Sequence, residues 1–215
     1  MTTQPRKEPA PVNPQLTALW QVLQQGAPDI AGYSSRVAWL SGRIGDVAGL
    51  DPPTVTHLQL AGQFHAVGKL ALPVVLRQAG GPRTAADWTR LRQFPALGAQ
   101  AVRDRGAPAV AAIIAQQDEH WDGSGGPGGL IGPQIRGAAR VLTVAVAVVT
   151  TCSAAPGRVQ PAYATALDLL AEGAGRQFDP TLVRLVLTLW PVTHPPALLL
   201  FACTSPAGDR RVAAR

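Results

Sequence analysis

The residues whose side chains could take part in binding or catalysis lie in two short segments of the 215-residue chain. One contains His65 and Lys69, and the other contains three carboxylates, Asp118, Glu119 and Asp122, just before a glycine-rich stretch. The acidic residues could recruit a cation, although such carboxylates more often face solvent or cap neighbouring backbone groups. The lysine could contact phosphate as a point charge, or could extend along its stem to place its ammonium group in solvent.

Other chemistries are not indicated by the sequence. It has no Ser/His/Asp order, no Walker loop and no dinucleotide fingerprint, because the glycines at 123–129 follow a predicted helix and not a strand. Cys152 and Cys203 lack the spacing of a zinc site or a disulfide scaffold. Both are therefore predicted to be buried thiols.

Five blocks in a fixed order resemble the signature segments of HD-GYP domains. They are Phe64–Lys69, Phe94–Gly98, Gln117–Pro127, Ala139–Val146 and Phe178–Pro180. Five ordered blocks are far more specific than any one of them. The resemblance covers most of the chain, from about Tyr33 to Leu187. It implies an all-α fold, an HD-domain-like multi-helix bundle, and it implies cyclic di-GMP as the ligand.

The same resemblance implies a centre in which imidazoles and carboxylates hold metal ions that activate water against a phosphodiester. At the ligand positions that the resemblance implies, this chain has the expected histidine at His65 and has Asp118 in place of another histidine. The other ligand positions hold Tyr33, Ala66, Phe94, Gln117 and Val146. The apolar replacements fit a lost cation, because packed carboxylates without one would repel each other and would lose hydration. Two remaining ligands cannot hold a dinuclear centre, so we expect no metal cofactor.

A remnant ligand-binding pocket is predicted from His65, Lys69, Asp118, Glu119, Asp122 and Arg140. His65 is interpreted as a hydrogen-bonded core histidine, with a residual ligand or phosphate contact as the alternative. Arg140 is expected to pair with Asp122 or Glu119, and Trp121 is expected to pack. The closing Asp179-Pro180 is typical of a helix N-cap followed by a first-turn proline.

Three functions follow as hypotheses. The first is a regulatory pseudoenzyme that binds a protein partner or a cyclic dinucleotide and carries no catalytic residue. The second is a working phosphodiesterase whose rearranged site uses His65, Asp118, Glu119 and Asp122 with manganese or iron. The third is a nucleic-acid binder acting through arginines, which the scattered distribution of those arginines argues against.

The composition is that of a folded protein, with 47% hydrophobic and 15% charged residues. The net charge of +6 comes almost wholly from arginine. The longest apolar run, 141–149, is far shorter than the roughly 20 residues that span a membrane, and the polar, proline-rich start is unlike a signal peptide. A cytoplasmic location without membrane contact is therefore predicted.

Three regions are expected along the chain: a disordered leader at 1–14, a helical domain at 15–190 and a proline-broken tail at 191–215. Apolar spacing and proline signals predict helices from Gln15 onward and at 31–47, 54–67, 84–93, 96–104, 107–118, 163–172 and 179–190. The glycines at 123–129 predict a loop. The valine-rich segment 137–151 fits either a helix or a buried strand, because propensity does not decide between them.

Overall fold

The computed structural model describes residues 13–77, 84–153 and 163–189. Those residues form a bundle of helices without a named strand, so the predicted all-α, multi-helix architecture is confirmed. The expected tail lies outside the described residues, and so does the expected leader except for its last two positions.

The first half of the bundle runs from α1 to α5. Its helices are α1 (Pro14–Gly26), α2 (Pro28–Val47), α3 (Pro52–Phe64), a 3₁₀ helix (Val67–Ala71), α4 (Val74–Arg77) and α5 (Ala85–Leu91). The second half consists of α6 (Phe94–Arg103), α7 (Pro108–Ile114), a second 3₁₀ helix (Gly132–Gln134), α8 (Gly137–Cys152), α9 (Tyr163–Gly173) and α10 (Pro180–Leu189).

Capping side chains set the starts of the early helices. Asn13 Oδ1 accepts hydrogen bonds from the amides of Gln15 and Leu16, so α1 begins at Pro14, one residue earlier than predicted. Asp51 Oδ1 accepts from the amide of Thr54 at 3.0 Å and caps α3 in the same way. In both cases a proline occupies the first turn, where its missing N–H leaves no helical hydrogen bond unmade.

The valine-rich segment forms the central helix α8. Its side chains are buried on several sides, because α2, α3, α7 and α9 all pack against it. The described residues offer no strand with which this segment could pair, and a helix satisfies its backbone hydrogen bonds internally. Because nearly the whole surface of α8 is buried against other helices, this segment is helical although valine favours strands.

The predicted helix at 107–118 is too long. α7 ends at Ile114, and residues 115–118 form turns before the glycine loop. The loop at 123–129 is confirmed as non-helical. As a consequence, Gln117 and Asp118 lie on a turn whose direction is set by contacts with other helices.

A continuous apolar core joins α1, α2, α3 and α6 to α10. Leu40, Ile44, Leu58 and Leu142 are completely buried at its centre. Cys152 is a buried thiol, as predicted, whereas Cys203 lies outside the described residues. No helix among the described residues is both long enough and apolar enough to cross a membrane.

Candidate functional site

His65 lies at the end of α3, where the chain turns into the first 3₁₀ helix. Its side chain is 2% exposed, and Nδ1 lies 2.7 Å from the carbonyl oxygen of Gly62. That carbonyl can only accept, so Nδ1 carries the proton and the Nε2 lone pair is directed away from α3. The ring of Tyr33, from α2, lies 5.3 Å from the His65 ring, centroid to centroid.

The pKa of His65 is lowered from 6.5 to about 4, chiefly by burial. The hydrogen bond to Gly62 opposes this shift, and the positive charge of Lys69 contributes to it. His65 is consequently neutral at pH 7. The expected hydrogen-bonded core histidine matches this environment.

The depressed pKa makes a prediction about acid stability. The unfolded chain takes up a proton on His65 near pH 6.5, but the folded chain does so only near pH 4. Stability is therefore fully present above pH 6.5 and falls by on the order of 3 kcal/mol as the pH drops through that window. We expect His65→Gln to flatten this part of the pH dependence in urea unfolding at a series of pH values.

His57→Gln is the matched control, because His57 is only half-buried on the outer part of α3. It should keep the pH dependence of the natural chain. Parallel curves for His65→Gln and the natural chain would contradict the assignment of this slope to His65.

Lys69 and Phe94 form a second part of the site. The Lys69 ammonium nitrogen lies 4.8 Å from the centroid of the Phe94 ring, a cation–π contact. The 3₁₀ helix packs so closely on α6 that a Cβ atom on Gly68 would lie 2.0 Å from the Phe94 carbonyl oxygen. This close packing brings Lys69 next to the Phe94 ring. The ring thus holds the ammonium group at one edge of the site.

The turn after α7 contributes Gln117 and Asp118. The buried amide of Gln117 donates from Nε2 to the carbonyl oxygen of His65 at 3.1 Å. Thr143 Oγ1 of α8 lies 2.9 Å from the main-chain carbonyl oxygen of Gln117 and 3.0 Å from that of Ala139, so its one proton is shared between the two acceptors. The turn is therefore tied both to the end of α3 and to the central helix.

Asp118 is accessible to solvent, yet protein atoms surround enough of its carboxyl group that burial raises its pKa above the usual range. The charges of His120 and Lys69 oppose this shift, whereas Glu119 reinforces it. Solvent therefore reaches the Asp118 carboxyl group from one side only. Lys69 is therefore close enough to both Asp118 and His65 for its charge to act on the pKa of each.

Glu119 and Asp122 cap the glycine loop. Glu119 is 2% exposed and accepts hydrogen bonds from the backbone amides of Gly128 at 2.5 Å and Leu130 at 2.9 Å. Asp122 Oδ1 accepts from the amide of Ser124 at 2.9 Å, and the hydrogen bonds from Ser124 lower the pKa of Asp122. Both carboxylates face the loop backbone, so they are not grouped with His65.

Arg140 does not pair with Asp122 or Glu119, and that expectation is wrong. Its guanidinium group donates to the buried carboxylate of Asp179 at 2.5 Å and lies 5.5 Å from the centroid of the Trp121 ring. Asp179 is 5% exposed and requires a counter-charge, whereas the other two carboxylates already accept loop amides.

Asp179 also caps α10 through Oδ1, which accepts from the amide of Thr181 at 2.8 Å. This confirms the predicted N-cap. Its pairing with Arg140 was missed, because the two residues are 39 positions apart and local spacing carries no signal for such a contact.

The sequence profile of the family described as HD domain matches residues 18–182. The chain therefore belongs to the HD domain family. Its curated relatives include a cyclic di-GMP phosphodiesterase of Thermotoga maritima, 28% identical over 73% of this chain and 44% of the relative. Another is the cyclic di-GMP phosphodiesterase response regulator RpfG of Xanthomonas campestris pv. campestris, 27% identical over 78% and 45% of the two chains.

Solved structures show the same fold. A cyclic GMP-AMP-specific phosphodiesterase of Vibrio cholerae matches with a TM-score of 0.61 and 21% identity, over 90% of this chain and 50% of that one. An HDGYP protein of Bdellovibrio bacteriovorus also gives 0.61, at 23% identity over 74% and 52% of the two chains. The HD-GYP resemblance is thus confirmed, and the chain spans less than half the length of the two curated relatives.

The residues at the inferred ligand positions do not fit a dinuclear metal centre. Ala66 is completely buried, Val146 packs against the apolar core, and the Gln117 amide is engaged by the end of α3. Across residues 13–77, 84–153 and 163–189, no three His, Cys, Asp or Glu side chains are grouped to hold a metal ion. A centre with several nitrogen and oxygen ligands per ion has no matching ligand set there.

Proposed function

We propose that this chain is a catalytically degenerate HD-GYP-like regulator that acts by binding a protein partner or a cyclic dinucleotide. The observation that carries the proposal is the loss of coordinating groups at the ligand positions, combined with the engagement of Gln117 in a buried hydrogen bond. A phosphodiesterase of this family would need those groups to activate water.

The division between retained and replaced residues supports a regulatory role. The retained motif residues Gly68, Glu119, Arg140 and Asp179 all hold backbone segments or helices together. Most positions that the family resemblance assigns to the metals hold other residues, namely Tyr33, Ala66, Phe94, Gln117 and Val146. A scaffold maintained without its metal ligands is what binding without hydrolysis requires.

Two observations support a cyclic dinucleotide as the ligand: the names of the relatives and the positive charge of Lys69. Proteins named as phosphodiesterases of cyclic di-GMP or 3'3'-cGAMP are among the relatives. In this chain Lys69 places a positive charge at the edge of the site, which favours an anionic ligand. We accordingly propose Lys69 and Asp118 as the part of the predicted remnant pocket that a ligand contacts, because His65 is only 2% exposed. We also propose a cytoplasmic setting.

Metal analysis and a hydrolysis assay test the proposal. Purified chain supplied with manganese or iron is expected to retain no stoichiometric metal after desalting and to leave cyclic di-GMP intact. Hydrolysis together with bound metal would overturn it and would favour the rearranged phosphodiesterase. That alternative further requires the activity to be lost in Asp118→Asn but kept in Asp29→Asn, which changes an exposed carboxylate in the first turn of α2.

Calorimetric titration with cyclic di-GMP in the presence of EDTA separates the two kinds of partner. A heat of binding that weakens in Lys69→Ala would assign the dinucleotide as the ligand. No heat at all would leave a protein as the partner, because the proposal requires one of the two.

A further inference from the structure

A line of direct contacts crosses the region where the family resemblance places metal ions. It begins on α8, where Thr150 Oγ1 lies 2.7 Å from the hydroxyl oxygen of Tyr33 on α2. Tyr33 then contacts the ring of His65 at the end of α3. The main-chain carbonyl of His65 accepts a hydrogen bond from the side-chain amide of Gln117. The main-chain carbonyl of Gln117 accepts in turn from Thr143, again on α8. We call these five residues the clasp.

A metal centre is also a cross-link, because ligands from separate elements are held by one ion. The free energy of metal binding then contributes to folding, and its loss leaves those elements joined only by packing. The inferred ligand positions in this chain include Tyr33, His65 and Gln117, which lie on α2, at the end of α3 and on the turn after α7. Two of the three are replacements, and both make hydrogen bonds to other elements.

We propose that the clasp takes over the cross-linking role of the metal centre, so that the fold of this chain is independent of metal. The proposal rests on the loss of the metal centre argued above. Tyr33 and Gln117 are positioning residues in it, since each holds a neighbouring element in place and neither is assigned a reaction.

The chemistry of Gln117 suits this role. A carbonyl at a helix C-terminus has no partner within its own helix, and a buried amide must find partners of its own. The side chain of Gln117 is 4% exposed and meets both needs by donating to the His65 carbonyl. Because Thr143 holds the Gln117 backbone at the same time, the end of α3 is connected to α8 by two consecutive hydrogen bonds.

The chemistry of Tyr33 also suits the cross-linking role. Burial raises the pKa of Tyr33 to about 12, so its hydroxyl group remains protonated through the physiological range. The hydroxyl therefore continues to exchange a hydrogen bond with Thr150, while the ring covers the imidazole of His65. One side chain thus connects α2 both to α8 and to the end of α3.

Thermal unfolding of the full chain tests the clasp. We expect the Tm to differ by less than about 1 °C between EDTA and added manganese, because nothing in the fold depends on the ion. Gln117→Leu should lower the Tm by roughly 2–4 °C, the shift expected for one lost buried hydrogen bond in a chain of this size. Tyr33→Phe should lower it by about 2 °C, because its hydrogen bond to Thr150 is exposed. Both variants keep the approximate side-chain volume, and circular dichroism verifies that they fold.

Thr56→Val is the matched control, since its hydroxyl donates only to the Pro52 carbonyl within α3 and is exposed. It should shift the Tm by less than about 1 °C. The variant carrying both clasp substitutions should lose less than the sum of the single losses, because releasing one end of the clasp weakens the hold of the other. Strict additivity would overturn the clasp as a unit.

The possible failures are distinguishable. A Tm that EDTA lowers or manganese raises by several degrees would show a persisting metal centre and would overturn the clasp and the proposed function together. A metal-insensitive Tm with single variants no different from Thr56→Val would overturn the clasp alone.

Discussion

Gly68→Ala is expected to destabilise this protein by about 3 kcal/mol or more, the largest effect that we predict for a single methyl group. The added Cβ atom would lie 2.0 Å from the carbonyl oxygen of Phe94 and 2.5 Å from the amide nitrogen of Gly98. Both are backbone atoms of α6, so no side-chain rotation relieves the overlap. The 3₁₀ helix and α6 would have to separate, and urea unfolding measures the cost.

The matched control is Gly26→Ala at the end of α1. The nearest atom to an added Cβ atom there is a Leu70 side-chain carbon at 3.8 Å, an ordinary contact distance. Its effect should remain within about 1 kcal/mol in either direction, because alanine has the higher helix propensity. Equal losses in the two variants would show that the 3₁₀ helix and α6 are not closely packed at Gly68.

Gly68→Ala also bears on ligand binding. Separation of the two elements would move the Phe94 ring away from Lys69, whose ammonium group it now holds. Any dinucleotide affinity should therefore fall in this variant even at temperatures where it remains folded.

Arg140→Ala is expected to destabilise the chain by about 3 kcal/mol. The substitution leaves the Asp179 carboxylate, with its side chain 4% exposed, without its counter-charge. Removing one partner of a buried ion pair typically costs 3–5 kcal/mol, and Arg140 itself is a quarter exposed, which favours the lower end. Loss of the contact with Trp121 adds to the effect. Urea unfolding at pH 7 measures it.

Arg43→Ala provides the comparison. Arg43 and Asp46 approach within 3.8 Å on the surface of α2, with both side chains more than half exposed. Such a pair contributes little, so the loss should stay below about 1 kcal/mol. Asp179→Asn should partly rescue Arg140→Ala, because it removes the uncompensated charge. An Arg140→Ala loss no greater than that of Arg43→Ala would mean that Asp179 finds another partner.

Local sequence signals were sufficient for much of the fold. Apolar residues at helical spacing predicted most of the helices, because such spacing places a continuous apolar stripe against the core. The cap at Asp179 was readable as well, since an acidic residue before proline satisfies amides in the first turn. Ordered motif blocks then indicated the family that the profile match confirms.

Other features depended on residues far apart in the chain. The segment 137–151 has the composition of a strand, and only its enclosure by other helices makes it α8. The partner of Arg140 is the buried carboxylate of Asp179, which lies 39 positions away along the chain. The early end of α7 was missed, because the turn that follows is held through Gln117 and Thr143.

The sequence by itself determined most of the helices, the cap at Asp179 and the residue types at the inferred ligand positions, because each is a property of residue type and short-range spacing. Only the tertiary structure decided how the side chains at those positions contact one another. Tyr33, His65 and Gln117 are too distant along the chain for spacing to relate them, and their hydrogen bonds exist only when α2, α3 and α8 pack together. Burial then makes His65 and Gln117 required partners, since both are less than 5% exposed and a polar group removed from water must be satisfied within the protein.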